Sequence, residues 1–289
     1  MTEIPRRANA KINVFLRVLG RREDGYHEIE SLLLPLSLHD LIVAGPGEGL
    51  SVSVVGERQG HLEGVGDENL ALVAARALAD AAGLAHPGAQ IRIDKRIPVA
   101  AGLGGGSADA AATLRALNEL WHCGFDDEGL ATIAARVGSD VPALLAEGAV
   151  FVRGRGDVGE PVHVTPTAWV LAPMPFPVRT ADAYSWWDEE GTTGPDPGAL
   201  IAAAETGNPE LLGSALFNDL QPSVASRHPE VHAAVESFRR AGALGQIMTG
   251  SGPTVAALAR DRAHAEGLAA TVPGSIVVSA PPPAEPDAG

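Results

Sequence analysis

A glycine run that leads directly into a helix constrains this chain more than anything else in it. In Pro98-Val-Ala-Ala-Gly102-Leu-Gly104-Gly105-Gly106-Ser107-Ala-Asp109, four of the five positions 102–106 are glycine. Glycine lacks a Cβ and accepts backbone angles that other residues resist, so such a run can turn several N–H groups toward one centre. The Ala- and Leu-rich spacing from Ala108 to Trp121 predicts a helix immediately behind it. That helix adds unpaired N–H donors and the positive end of its dipole. The combination suits a phosphate chain. Glycine runs are also common as plain surface loops, but the helix that starts at the last glycine favours the phosphate reading.

Two familiar phosphate loops do not fit. A Walker A loop needs Gly-Lys followed by Ser or Thr, and the chain has no Gly-Lys pair. A dinucleotide fingerprint starting at Gly102 needs a glycine where Ser107 stands. It also needs a strand after the helix, whereas Asp126 to Val137 reads as a second helix.

Composition narrows the partners. The 289 residues suffice for two domains, and 45% hydrophobic with 20% charged residues suits a chain with a buried core. The net charge of −15 argues against nucleic acid, whose phosphates need a basic surface. That charge is uneven: residues 1–100 hold 11 Lys+Arg against 13 Asp+Glu, and the rest 10 against 23. The part entering the glycine run is thus nearly neutral and opposes an anionic ligand little. No run of 18 apolar residues occurs and the N-terminus has no apolar signal core, so a cytoplasmic protein without a membrane span is expected. The single cysteine, Cys123, excludes an internal disulfide and a cysteine-cluster metal site. Against 19 arginines there are two lysines, Lys11 and Lys95, which marks both positions as places for a compact ammonium.

Periodicity predicts strands over 8–18, 29–43 and 50–55, with a turn at Arg21–Gly25. A helix is expected over 69–82 and a strand over 90–95, then helices over 107–121, 126–137 and 140–146 and a strand over 148–152. Beyond about 155 come strands near 160–164 and 168–173, a polar helix from about 181, and a Gly/Pro-rich loop over 191–198 expected to be mobile. Helices run on to Phe238, and strands at 246–248, 254–258 and 276–278 with a helix over 261–270 suggest a small α/β sandwich. The Pro-rich tail 281–289 is expected to be disordered. Taken by itself, Gly138-Ser139-Asp140-Val141-Pro142 reads as a helix cap, with Ser139 or Asp140 at the N-cap.

Three segments in order, Ala10-Lys11-Ile12-Asn13, Pro98 to Ser107 and Met248-Thr-Gly-Ser-Gly-Pro253, resemble the three motifs of the GHMP small-molecule kinases over nearly the whole chain. The further segments Arg21 to Glu28, containing Gly-Tyr26-His27, and Gly138 to Pro142 resemble the members that phosphorylate the 2-hydroxyl of a cytidyl-diphosphate sugar alcohol in non-mevalonate isoprenoid synthesis. The resemblance implies an α+β, two-domain GHMP fold that binds ATP and substrate in a cleft between its domains. Its N-terminal domain, ribosomal-protein-S5-domain-2-like, would span 1–155, and a C-terminal ferredoxin-like α/β sandwich would span 156–280.

Carried over residue by residue, the resemblance implies Asp140 as the catalytic carboxylate and Lys11 as its charged neighbour. It implies Tyr26, His27 and Tyr184 on the cytosine ring, and Asn13 and Thr180 at the sugar-alcohol or phosphate end. Asn69, Leu70 and Lys95 would serve the adenine side of ATP, Gly102, Leu103, Gly104, Gly105, Gly106 and Ser107 its phosphates, and Pro98 would also bind the nucleotide. Some members hold Mg²⁺ with a loop serine and a helix glutamate; no such glutamate is assigned here, so nucleotide oxygens and water would mainly carry the ion, no protein metal ligand is named and its ligands stay open. The implied partners are small molecules, neither nucleic acid nor membrane, with the chain a monomer or homodimer. A kinase of another alcohol, such as homoserine or a mevalonate derivative, would share the glycine loop but leave Tyr26 and His27 no base to hold, while a nucleotide-binding sensor without turnover would not need both Lys11 and Asp140.

Overall fold

The apolar alternation Ile12, Val14, Leu16, Val18 becomes one buried face of an 18-residue strand in the computed structural model, which describes residues 3–56, 69–146 and 148–282. In chain order the elements are β1 (Ile4–Arg21), β2 (His27–Gly45), β3 (Leu50–Val55), α1 (Leu70–Ala81), β4 (Ala89–Asp94), α2 (Gly105–Leu120), α3 (Asp127–Ala134), α4 (Val141–Leu145), β5 (Ala149–Arg153) and β6 (Val158–Val162). There follow β7 (Thr167–Ala172), α5 (Thr180–Glu190), α6 (Gly198–Thr206), α7 (Pro209–Ser214), β8 (Phe217–Asn218), α8 (Gln221–Arg227) and α9 (Pro229–Arg240). The chain closes with β9 (Gly245–Met248), β10 (Val255–Ala259), α10 (Arg262–Ala269) and β11 (Ile276–Ala280). Residues 283–289 of the expected disordered tail lie outside the described residues.

Two compact units emerge, and they do not follow a single cut in the chain. The first takes the described residues within Met1–Ala10, Leu38–Val99 and Gly104–Glu147. The second takes Lys11–Ser37, Ala100–Leu103 and the chain from Gly148 onward. Both β1 and β2 therefore change unit along their length, and the glycine run is divided after Leu103.

In the first unit β3 pairs parallel with β4, and β4 pairs antiparallel with the second half of β2. Helices α1 and α2 cover this sheet. Their facing surfaces are built largely of alanine, with Ala71, Ala74, Ala75, Ala111 and Ala112 buried beside Leu78, Leu114 and Leu117. Small side chains let helix backbones approach closely, while each buried leucine contributes about 1.5–3 kcal/mol. Asn69 caps α1, its Oδ1 accepting the Ala71 N–H at 2.9 Å.

In the second unit four strands form an antiparallel sheet in the order β11-β7-β10-β9. Since β7, β9, β10 and β11 follow one another in sequence, this is the order of a split βαββαβ, as expected for a ferredoxin-like sandwich. Trp169, Phe238, Met248 and Val255 are buried in it. The first half of β2 pairs with β5, and β1 pairs parallel with β8 (Phe15 opposite Phe217, Leu16 opposite Asn218). Sequence periodicity misses β8 because two residues carry no period. The 191–198 loop is pinned at Gly194, whose N–H donates to Asp219 Oδ2 at 3.1 Å and which packs close to the Phe217 ring. A Cβ there would fall 2.1 Å from Phe217, so glycine is what allows the loop to seat.

Candidate active site

Lys11 and Asn13 alternate along β1 and so point to one side. Both are buried. Lys11 Nζ donates to Asn13 Oδ1 at 2.6 Å and to the Gly102 carbonyl at 2.9 Å, while its backbone N–H donates to the Leu103 carbonyl at 3.0 Å. Asn13 is held in turn: its N–H donates to Thr249 Oγ1 at 2.8 Å, and its Nδ2 donates to Ser31 Oγ at 2.7 Å. Residues from all three small-residue segments thus surround one ammonium in the second unit.

The turn Thr249-Gly250-Ser251-Gly252-Pro253 fits this place because it is almost free of side chains. Gly250 and Gly252 have φ of 57° and 84°, in the left-handed region that favours glycine. A Cβ on Gly250 would lie 3.0 Å from Asn13 Oδ1 and 3.1 Å from Lys11 Nζ. Gly102, also left-handed at 75°, approaches the Thr249 and Gly252 carbonyls so closely that a Cβ would lie 2.7 Å from each. Asn218 fastens the turn from below, its Nδ2 donating to the Met248 and Gly250 carbonyls at 2.6 and 2.8 Å. Sequence reasoning missed Asn218; the only signal was a polar pair, Asn218-Asp219, between apolar neighbours.

Thr180 opens α5, and its hydroxyl is 3.1 Å from Ser251 Oγ. One turn on, Tyr184 stacks on His27, whose Nε2 lies 2.8 Å from Asp188 Oδ1, with Trp187 edge-on to the imidazole. Tyr184 and Asp188 share a helix face at i, i+4 spacing, a signal present in the sequence but not used there. Tyr26 is exposed, with the Arg155 guanidinium over its ring at 5.0 Å, so one of its faces is already covered.

The first unit holds the remaining predicted residues. Helix α2 starts at Gly105, two residues earlier than the helical spacing predicts, because Gly104 (φ 70°) turns the chain and Gly105 and Gly106 can enter the first turn. Its first internal bond is Ala108 N–H to the Gly104 carbonyl at 2.9 Å, so the N–H groups of Gly105, Gly106 and Ser107 lie ahead of the helical ladder. Leu70 packs beside Gly106, and Asn69 is committed to its cap. Asp140 stands half-buried at the N-cap of α4, the position the cap reading gives it, but its side chain makes no cap hydrogen bond. Lys95 is buried, and its ammonium faces inward onto Asp40 and Asp109, each at 2.6 Å, so its side chain supports the loop from beneath. Among the described residues no group of three His, Cys, Asp or Glu side chains could hold a metal ion, and no helix is long and apolar enough to cross a membrane.

Comparison with known proteins agrees with this geometry. The GHMP kinases N terminal domain matches residues 69–148, and the GHMP kinases C terminal domain matches residues 200–275. A 4-diphosphocytidyl-2-C-methyl-D-erythritol kinase of Symbiobacterium thermophilum is 43% identical over 257 residues, covering 88% of this chain and 90% of the relative. One from Thermobifida fusca is 40% identical over 285 residues, covering 95% and 92%. A crystal structure of 4-(cytidine 5'-diphospho)-2C-methyl-D-erythritol kinase superposes with a TM-score of 0.80 at 33% identity, over 96% of this chain and 99% of that one. A homoserine kinase from Cytophaga hutchinsonii, at 20% identity and a TM-score of 0.75, shares the fold alone. The chain belongs to the GHMP kinases, in the group of 4-diphosphocytidyl-2-C-methyl-D-erythritol kinases.

Proposed function

We propose that this chain transfers the terminal phosphoryl group of ATP to the 2-hydroxyl of 4-diphosphocytidyl-2-C-methyl-D-erythritol, in the cytoplasm and on the non-mevalonate route to isoprenoids. The observation that carries this reading is the meeting of the three motif segments around the buried Lys11 ammonium.

The N–H groups of Gly105, Gly106 and Ser107, at the positive end of a 16-residue helix, suit a polyphosphate. Gly102 and Leu103 complete the loop, and Asn69, Leu70 and Pro98 serve the adenosine side. Mg²⁺ would enter on the phosphate oxygens with water as its other ligands, lowering the charge the loop must neutralise. In the transfer, the substrate hydroxyl oxygen bonds to the γ-phosphorus as the bond to the bridging oxygen of ADP breaks. Asp140 accepts the hydroxyl proton, and the Lys11 ammonium steadies the negative charge on the transferring group. Asn13 and Thr180 orient the sugar-alcohol phosphate end. Tyr26, His27 and Tyr184 hold the cytosine, the aromatic faces by stacking and the imidazole edge by hydrogen bonding. The domain limits 1–155 and 156–280 accompany this reading.

The test is ADP release with ATP, Mg²⁺ and the cytidyl substrate, run beside mevalonate and homoserine. Turnover with the first alone supports the assignment. Turnover with either small alcohol instead would remove the cytosine role from His27 and Tyr184, and no turnover with ATP bound would leave a sensor.

A further inference from the structure

Asp40, Lys95 and Asp109 form a buried ion cluster whose side chains the transfer reaction does not use. Lys95 Nζ lies 2.6 Å from Asp40 Oδ2 and 2.6 Å from Asp109 Oδ2. Asp40 is fully engaged, because its Oδ1 also accepts the N–H groups of Arg96 and Ile97 at 2.5 and 2.8 Å. Asp109 is not: its Oδ1 is buried with no hydrogen-bond partner. Two buried carboxyl groups on one ammonium, with one oxygen unpaired, are a poor way to stabilise a core. Its location suggests another use. Asp40 comes from β2, Lys95 follows β4, and Asp109 lies in the second turn of α2. At the centre the ammonium lies against Gly105, the first residue of α2, where a Cβ would be 3.2 Å from Lys95 Nζ.

We propose that Asp109, acting through Lys95, is a positioning residue that fixes the first turn of α2 and so the N–H groups that receive the ATP phosphate chain. The inference rests on the glycine loop being the phosphate site. The charged groups that bear on Asp109 are Lys95 and Asp40; the helices packed on α2 turn Ala74, Leu78, Leu130, Ile133, Val141 and Leu145 into the core. Burial pushes the Asp109 carboxyl up to about 7, with Asp40 adding to the rise and Lys95 opposing it. Proton loss there puts a further negative charge under the loop. ATP affinity therefore falls as pH rises through about 7, while affinity for the cytidyl substrate does not follow.

The experiment measures ATP affinity by calorimetry, both KM values, kcat and the thermal midpoint for Asp109→Asn, Asp109→Ala and Gly106→Val in the full chain, between pH 6 and 8.5. Asp109→Ala removes the anchor and is expected to raise the KM for ATP about tenfold or more, leaving that for the cytidyl substrate within about twofold. Asp109→Asn keeps an acceptor for Lys95 and is expected to abolish the pH dependence of ATP affinity. Two results overturn the inference: Asp109→Asn retaining the wild-type pH dependence, or a folded Asp109→Ala with unchanged ATP affinity. Gly106 is exposed with only Leu70 near it, so Gly106→Val tests the loop itself. Unchanged ATP binding there would remove the phosphate-site reading, whereas loss there together with a silent Asp109→Ala would remove the Asp109 inference alone.

Discussion

His27 and Tyr184 stack on each other, with ring centroids 4.6 Å apart and planes 23° from parallel. This contact closes the space between them, so on the proposed reading a cytosine ring would stack on an outer face of the set rather than between these two. It also fixes the imidazole. Asp188 Oδ1 lies 2.8 Å from Nε2, so Nε2–H donates to it, and Nδ1 would be the ring nitrogen that meets the base in the proposed site. Trp187, with its ring edge-on at 5.9 Å, prevents the imidazole from swinging away.

Replacing either support therefore weakens one substrate selectively. Tyr184→Ala removes an aromatic contact worth about 0.5–1.5 kcal/mol and is expected to raise the KM for the cytidyl substrate about twofold to tenfold. Asp188→Asn keeps the shape but frees the imidazole to take the other tautomer, and is expected to act in the same direction. Steady-state kinetics with each substrate varied in turn checks both. Equal losses for ATP would place this cluster outside the cytidine site.

Asp140 is half-buried at the N-cap of α4 and its side chain makes no cap hydrogen bond, which suits the proton transfer proposed for it. Asp140→Asn is expected to lower kcat by about 10²–10⁴ with ATP affinity retained. Lys11→Ala is expected to lower kcat by about 10²-fold or more, since its ammonium supports Asn13 and, in the proposed reaction, would steady the transferred charge. Single-turnover phosphoryl transfer under saturating substrates separates these losses from binding. A near-normal rate in Asp140→Asn would take the proton-transfer role away from it.

Much of this was legible in the sequence because the relevant signals are local. Strands with an apolar period, Gly83 ending α1, and the small-residue segments at 102–107 and 248–253 each declare themselves within about ten residues. What was not legible depends on long-range contact. The two-residue β8 has no period, yet it brings Asn218 beneath the Gly250 turn. Lys95 was visible as one of two lysines, but its inward direction follows from Asp40 and Asp109, 55 and 14 residues away. The units change at residues 10 and 37 because β1 and β2 each run on from one unit into the other, and again at 99, 103 and 147, in the glycine run and before β5.

Gly250 tests how tightly the third motif is bound to the first. An alanine there must take a left-handed φ near 57° and press a methyl group toward Asn13 Oδ1 and Lys11 Nζ. The backbone strain costs about 1–3 kcal/mol, a modest fraction of a domain's stability. The effect on the ammonium is larger, because Lys11 Nζ and Asn13 Oδ1 must both give way by a few tenths of an ångström where the geometry of their contact matters. Gly250→Ala is thus expected to fold with a lowered melting temperature and to lose about tenfold or more in kcat, with the KM for ATP little changed. Calorimetry and steady-state kinetics on one preparation would check the pair; an unchanged kcat would show that Lys11 acts independently of the turn.

The ion cluster around Lys95 also leaves a mark on stability. The Asp109 carboxyl titrates near 3.8 when unfolded and at about 7 when folded, so between those values the folded chain holds a proton that the unfolded chain has released. Its contribution to stability is complete below about pH 4 and is lost as pH rises toward 7. Lys95 runs at the other end of the scale: burial lowers its ammonium, but Asp109 and Asp40 more than restore it above its ordinary 10.5, so its contribution holds through neutrality. Carboxylates held low by arginine, such as Asp157, work in the opposite direction in acid, so the informative quantity is a difference between two chains. The melting temperature of the wild type minus that of Asp109→Asn is expected to fall by on the order of 3 °C or more from pH 4.5 to 7 and then level off. Scanning calorimetry across that range checks it. A difference independent of pH would mean that Asp109 stays ionised in the folded chain, with the Lys95 ammonium outweighing the cost of its burial.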